Sequence, residues 1–169
     1  MSKRALKEFV NSLPKKELEL QLIDLYERFP MVKEYYDFIF NPKEDKLIQE
    51  AKTKIANEYF PVRRKRARMR RSIAQKYIKH FLKLGVEPHL MADLMLFNIE
   101  IAQTFSSEKK VAETFYKSML NSFEQAVFYI SQQSLLPEFR NRIAFVYKKV
   151  EEQQWPNYSD FSGVLDKVD

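Results

Sequence analysis

Apolar residues recur along this chain at intervals of three and four, the period at which side chains share one face of an α-helix. The pattern is clearest where Val111, Phe115, Met119, Phe123, Ala126 and Ile130 form one stripe, broadened by Ala112, Tyr116, Leu120 and Val127. Leu136, Phe139, Ile143, Val146, Tyr147 and Val150 repeat it, and Tyr158, Phe161, Leu165 and Val168 predict a short closing helix. Earlier stripes are shorter: Leu6, Phe9, Val10 and Leu13; Leu18, Leu22, Leu25, Tyr26 and Phe29; Val32, Tyr36 and Ile39. These predict short helices in antiparallel succession.

Asn41-Pro42-Lys43-Glu44 carries a helix-start signal: a capping side chain, proline at the first helical position and a glutamate after it. Leu47, Ala51, Ile55 and Tyr59 continue that helix. Ile73, Tyr77, Ile78, Phe81 and Leu84 form a stripe ending at Gly85, a residue suited to a left-handed C-terminal cap. The seven prolines fall between stripes, and only two glycines occur, whereas hairpin-rich β folds spend glycine at turns. The expected fold is therefore all-α: about eight helices in a single irregular bundle over residues 1–169, organised around the Leu90 to Phe105 and Val111 to Ile130 segments. No motif recurs at fixed spacing, which excludes a regular solenoid. The Asn41–Pro42 and Phe60–Arg64 junctions are the only seams.

Composition narrows the class. With 45% hydrophobic and 31% charged residues the chain has apolar surface enough to fold, and disorder is excluded. The absence of cysteine excludes a disulfide scaffold, a thiolate metal site and a cysteine nucleophile. Charges crowd the first eight residues, and no stretch approaches the roughly 18 apolar residues of a membrane span. A cytoplasmic protein with no membrane partner is expected.

The net charge of +6 is local. Between Arg63 and Arg71 only Ala67 and Met69 are not basic. Clustered guanidinium groups bind phosphates bidentately and release condensed counterions, so the run predicts contact with a polyanion. Taken as a helix start, its charges surround the axis. Arg66 and Arg70 then extend the stripe of Ile73, Tyr77 and Phe81 and should meet the body of the protein, with Asp93 and Glu100 as carboxylate partners. Arg63, Arg64, Lys65, Arg68 and Arg71 remain to face a polyanion. The plainer reading is a solvated or internally paired helix end.

Other elements carry less chemistry. A helix-turn-helix can be drawn from Ile78 to Asn98, but no Lys or Arg lies between Leu84 and Ser107, and Glu87, Asp93 and Glu100 would repel phosphates. His89, Asp93 and Glu100 share one helical face in a metal-compatible spacing. The otherwise apolar helix favours ion pairing, so no metal or cofactor is expected. His80 and His89 stand beside no nucleophile elbow, and isolated glycines make no phosphate loop. Tyr35, Tyr36, Tyr59 and Phe60 bracket a segment near the run, where exposed aromatics could stack unpaired bases; helical spacing makes Tyr36 and Tyr59 core positions and leaves Tyr35 and Phe60 unassigned.

Four blocks, Ser2-Lys3-Arg4, Lys33-Glu34-Tyr35-Tyr36-Asp37-Phe38 leading to Asn41-Pro42-Lys43-Glu44, Asn98-Ile99-Glu100-Ile101-Ala102-Gln103-Thr104-Phe105 and Phe115-Tyr116-Lys117-Ser118-Met119-Leu120, resemble a family of small bacterial proteins defined only as a domain of unknown function. The resemblance implies a free-standing bacterial domain and brings no activity, ligand or catalytic residue. The residues themselves favour a non-enzymatic binding protein that engages RNA or DNA. An adaptor presenting a helical groove to a protein partner is the alternative, with a carboxylate- or metal-dependent enzyme third.

Overall fold

The computed structural model describes residues 2–63 and 65–167; Arg64 of the basic run and Val168 of the closing stripe lie outside the described residues. Among those described there are nine helices and no strand: α1 (Lys3–Ser12), α2 (Lys15–Arg28), α3 (Pro30–Phe40), α4 (Glu44–Tyr59), α5 (Arg71–Leu84), α6 (Pro88–Glu108), α7 (Glu113–Gln132), α8 (Leu136–Glu152) and α9 (Tyr158–Leu165). The fold is all-α, as the period-3.6 stripes predict. The chain parts into two compact units, Met1–Lys43 and Glu44–Asp169, just beyond the Asn41–Pro42 junction.

In the first unit α2 and α3 pack as a hairpin opened by Pro30 at the first turn of α3. The Tyr26 hydroxyl donates to Asp37 Oδ1 at 2.6 Å, and Lys33 Nζ lies 5.8 Å from the centre of the Tyr26 ring. None of these three helices buries a residue. The amphipathic stripes predict the helices correctly, yet their apolar faces stay largely in solvent.

The second unit is built around α6, which packs against α4, α5, α7 and α8, while α9 covers α7 and α8. Met91, Leu94, Leu96, Ile99 and Ala102 of α6 are fully buried, as are Phe123, Ala126, Val127 and Ile130 of α7. An aromatic cluster closes the far end: Phe123 to Phe161 at 5.0 Å between ring centres, Phe161 to Trp155 at 5.8 Å and Trp155 to Phe115 at 5.7 Å. Each such ring, fully buried, contributes roughly 1.5–3 kcal/mol. The Gln103 side-chain amide donates to the Val146 carbonyl at 2.8 Å and so bolts α6 to α8.

Glu44 departs from the expected capping box. Helix α4 begins at Glu44 itself, and its carboxylate accepts the Glu87 N–H at 3.0 Å, joining the start of α4 to the start of α6. Asn41 instead ends α3.

Three helices stop by one device. Gly85, Ser134 and Gln154 take left-handed φ of 80°, 60° and 51°. The next N–H in each case, from Val86, Leu135 and Trp155, reaches back five residues to Phe81, Ile130 and Val150. This wrap satisfies helix-end carbonyls and drops an apolar side chain onto the core, Val86 and Trp155 being buried. Only Gly85 adopts that φ without steric cost. Gln154→Gly is therefore expected to raise stability by about 0.5–1 kcal/mol in thermal or urea unfolding, the relief of left-handed strain less the entropy of an added glycine.

Candidate polyanion interface

The basic run is not a helix start. Pro61 follows the end of α4, the described residues from 61 to 70 are non-helical, and α5 begins only at Arg71. In a helix the run would place like charges four apart, as at Arg66 and Arg70, each pair unfavourable. The segment instead folds back over the end of α4. The N–H groups of Arg68 and Met69 both donate to the Glu58 carbonyl, at 2.9 and 3.0 Å, with Met69 at φ 50°. Arg70 then donates through Nε and Nη2 to the Glu58 carboxylate at 2.9 and 3.0 Å. Glu58 is itself buried. Its hydrogen bond raises the Arg70 pKa, and the pairing offsets part of the cost of burying that carboxylate.

The expected division of the run changes accordingly. Arg70 is paired, but with Glu58 rather than Asp93 or Glu100. Arg66, expected to turn inward, is exposed, because the helical spacing that aimed it at the core is absent. Arg71, expected to be exposed, is half-buried: its Nε donates to Ser122 Oγ on α7 at 2.9 Å, and burial lowers its pKa. Arg63, Lys65 and Arg68 are exposed, while Arg64 lies outside the described residues.

Beside the segment runs an open groove of about 650 Å³. Tyr59, Phe60 and Val62 line it from the end of α4 onward, Lys65, Arg66 and Met69 from the basic segment, and Phe105, Glu108 and Lys109 from the end of α6. Phe60 stands edge-on to Phe105 at 5.8 Å and keeps 38% of its surface exposed. Tyr59 is buried, and its hydroxyl has no hydrogen-bond partner among the described residues. Burial pushes the Tyr59 hydroxyl up to about 12, with nearby Glu58 adding to the shift, so it stays a neutral donor at physiological pH. Sequence reasoning missed Lys109, which lies 38 residues beyond Arg71 and joins the groove only because α6 ends beside α4.

Asp93 and Glu100 serve a different structure. Arg142 of α8 donates to Asp93 Oδ1 at 2.6 Å and to both oxygens of Glu100 at 2.6 and 2.8 Å. Lys52 of α4 completes an ion pair with Asp93. Burial pushes the Asp93 carboxyl up, but hydrogen bonds from Lys52 and Arg142 together outweigh it and hold the pKa below its usual value. The network joins three helices across α6. His89 stands 3.7 Å from Glu138 and packs at a tilt against Phe139, away from these carboxylates. No group of three metal-ligating side chains occurs among the described residues. The second helix of the drawn helix-turn-helix is α6, the buried centre of its unit, which cannot enter a DNA groove.

Fold and site together define an all-α protein that holds a basic, partly extended segment beside an aromatic groove. The chain belongs to the family of unknown function DUF6155, whose model matches residues 1–169. Neither the curated proteins nor the solved structures contain a match to it.

Proposed function

We propose that the protein binds single-stranded nucleic acid along the groove beside residues 60–70. One observation carries this reading: Lys65, Arg66 and Lys109 line the same groove as Phe60, Val62 and Phe105. Cations that track a phosphate backbone and an exposed ring on which a base can stack are the two components of sequence-tolerant single-strand binding. Arg63 and Arg68, exposed on the same segment, extend the positive surface. Arg70 and Arg71 position the segment through Glu58 and Ser122 and are not part of the contact set. A duplex fits less well, since the contact residues lie on a non-helical segment and at a helix end rather than along a helix that could enter a groove.

Fluorescence anisotropy with a labelled single-stranded RNA or DNA oligonucleotide tests the reading. Binding at about 50 mM salt is expected to weaken as salt rises, with a log–log slope of about −0.7 per phosphate contact. The triple substitution Lys65→Ala, Arg66→Ala, Lys109→Ala is expected to make that slope shallower by about 2. Phe60→Ala is expected to cost about 1–3 kcal/mol of stacking with little change in slope. Absence of binding at low salt, or a triple variant that binds like the wild type, would overturn the proposal.

A further inference from the structure

Twelve of the eighteen large apolar side chains that the described residues leave exposed lie in the Met1–Lys43 unit, a quarter of the chain. Leu6 is 61% exposed, Ile23 55% and Phe40 78%. At roughly 100 Å² for a half-exposed large side chain, the twelve present on the order of 1,000 Å² of apolar surface. That total, spread over three helices, is comparable with the roughly 800 Å² each partner buries in a standard interface.

Charge says what covers it. Helix α1 holds three basic side chains and one acid, whereas α2 and α3 together hold six acids and four basic side chains. The unit is basic on α1 and acidic on the α2–α3 hairpin, so it is complementary to itself. Among the described residues the ion pairs of α1 and α2 are Arg4 with Glu8, Lys15 with Glu19 and Arg28 with Asp24, each within its own helix. Leu13 and Pro14, the two residues between α1 and α2, are both extended, and Leu6, Phe9 and Val10 of α1 remain exposed.

We propose that this unit is a self-association module in which α1 of one copy lies across the α2–α3 hairpin of a second copy, and reciprocally, in an isologous dimer. The Leu6, Phe9 and Val10 stripe meets the apolar side chains of the partner hairpin, Leu20 and Ile23 among them. An anionic membrane surface suits the pattern less well: it would attract the ten residues of α1 but repel the acidic hairpin that carries most of the apolar area.

Sedimentation equilibrium of the full chain from about 1 to about 100 µM tests this, since the mass of a dimer depends on concentration by mass action. A dimer is expected for the wild type and a monomer for Phe9→Glu and for Ile23→Lys, each with unchanged helical circular dichroism because both side chains are exposed. Because the chain has no cysteine, Ser12→Cys can be labelled at one place. Donor- and acceptor-labelled copies, once mixed, should show energy transfer that Ile23→Lys abolishes. Should either variant misfold, the wild-type mass and the other variant still decide. A wild type that stays monomeric at about 100 µM, with or without binding to phosphatidylglycerol vesicles, overturns the proposal. So does a dimer that both substitutions leave intact.

Discussion

Phe123→Ala is expected to destabilise the Glu44–Asp169 unit by about 3–5 kcal/mol, lowering its melting temperature by on the order of 10 °C. Phe123 has no exposed surface, sits in the middle of α7 and contacts the Phe161 ring at 5.0 Å between centres. Truncation removes a ring that water cannot replace, and α6 and α9 cannot both move in to fill the gap. Phe128, five residues on along the same helix, is 57% exposed. Phe128→Ala is expected to stay within about 0.5 kcal/mol of the wild type. Chemical or thermal unfolding of the two variants side by side reads the stripe directly. Equal losses would mean that the buried face of α7 is not the one described.

The contrast between those two phenylalanines shows what was legible beforehand. Phe115, Met119, Phe123 and Ile130 recur at helical spacing, and all four are buried, because a long stripe leaves one orientation that hides it. Gly85 reads as a cap because glycine alone takes its backbone angle freely. Ser134 and Gln154 perform the same task, and nothing in their identity announces it. The stripes of α1, α2 and α3 specify helices without saying what covers them, since periodicity records a local preference and burial is decided by other parts of the chain.

The basic run failed differently. Seven charges in nine positions mark a site for charge chemistry, but they supply no apolar stripe to fix a conformation. Its path is set from outside, by Pro61 stopping α4 and by the buried Glu58 drawing in the Arg68 and Met69 N–H groups and the Arg70 guanidinium. Glu58 sits on a helix whose apolar stripe gives no sign that this carboxylate is buried. The opposite-charge logic for Asp93 and Glu100 was sound in kind. The partner proved to be Arg142, 49 and 42 residues away, because α8 and not the basic segment packs on that face of α6.

Arg142→Met should therefore be costly, and its cost should depend on pH in a defined direction. The substitution keeps the apolar stem but strips Glu100 of two charged hydrogen bonds and leaves Asp93 with Lys52. Losing one member of a buried ion network costs about 3–5 kcal/mol, and the side chains here keep 24–29% of their exposure, so about 2–3 kcal/mol is expected near neutrality. Arg4→Met on α1, which removes a pair 88% and 66% exposed, should change stability by under about 0.5 kcal/mol. The Asp93 pKa is depressed in the folded state. Its contribution is accordingly complete above the unfolded value of about 3.9 and is lost as pH falls through the lower folded value. The gap between wild type and Arg142→Met should hold steady from about pH 8 to about pH 5 and close below about pH 4. Adding Glu100→Gln to Arg142→Met should recover part of the loss, since Glu100 is the carboxylate left half-buried without its guanidinium while Asp93 keeps Lys52. A gap that widens in acid, or a double variant no more stable than the single one, would show that these three helices are held together by their apolar contacts alone.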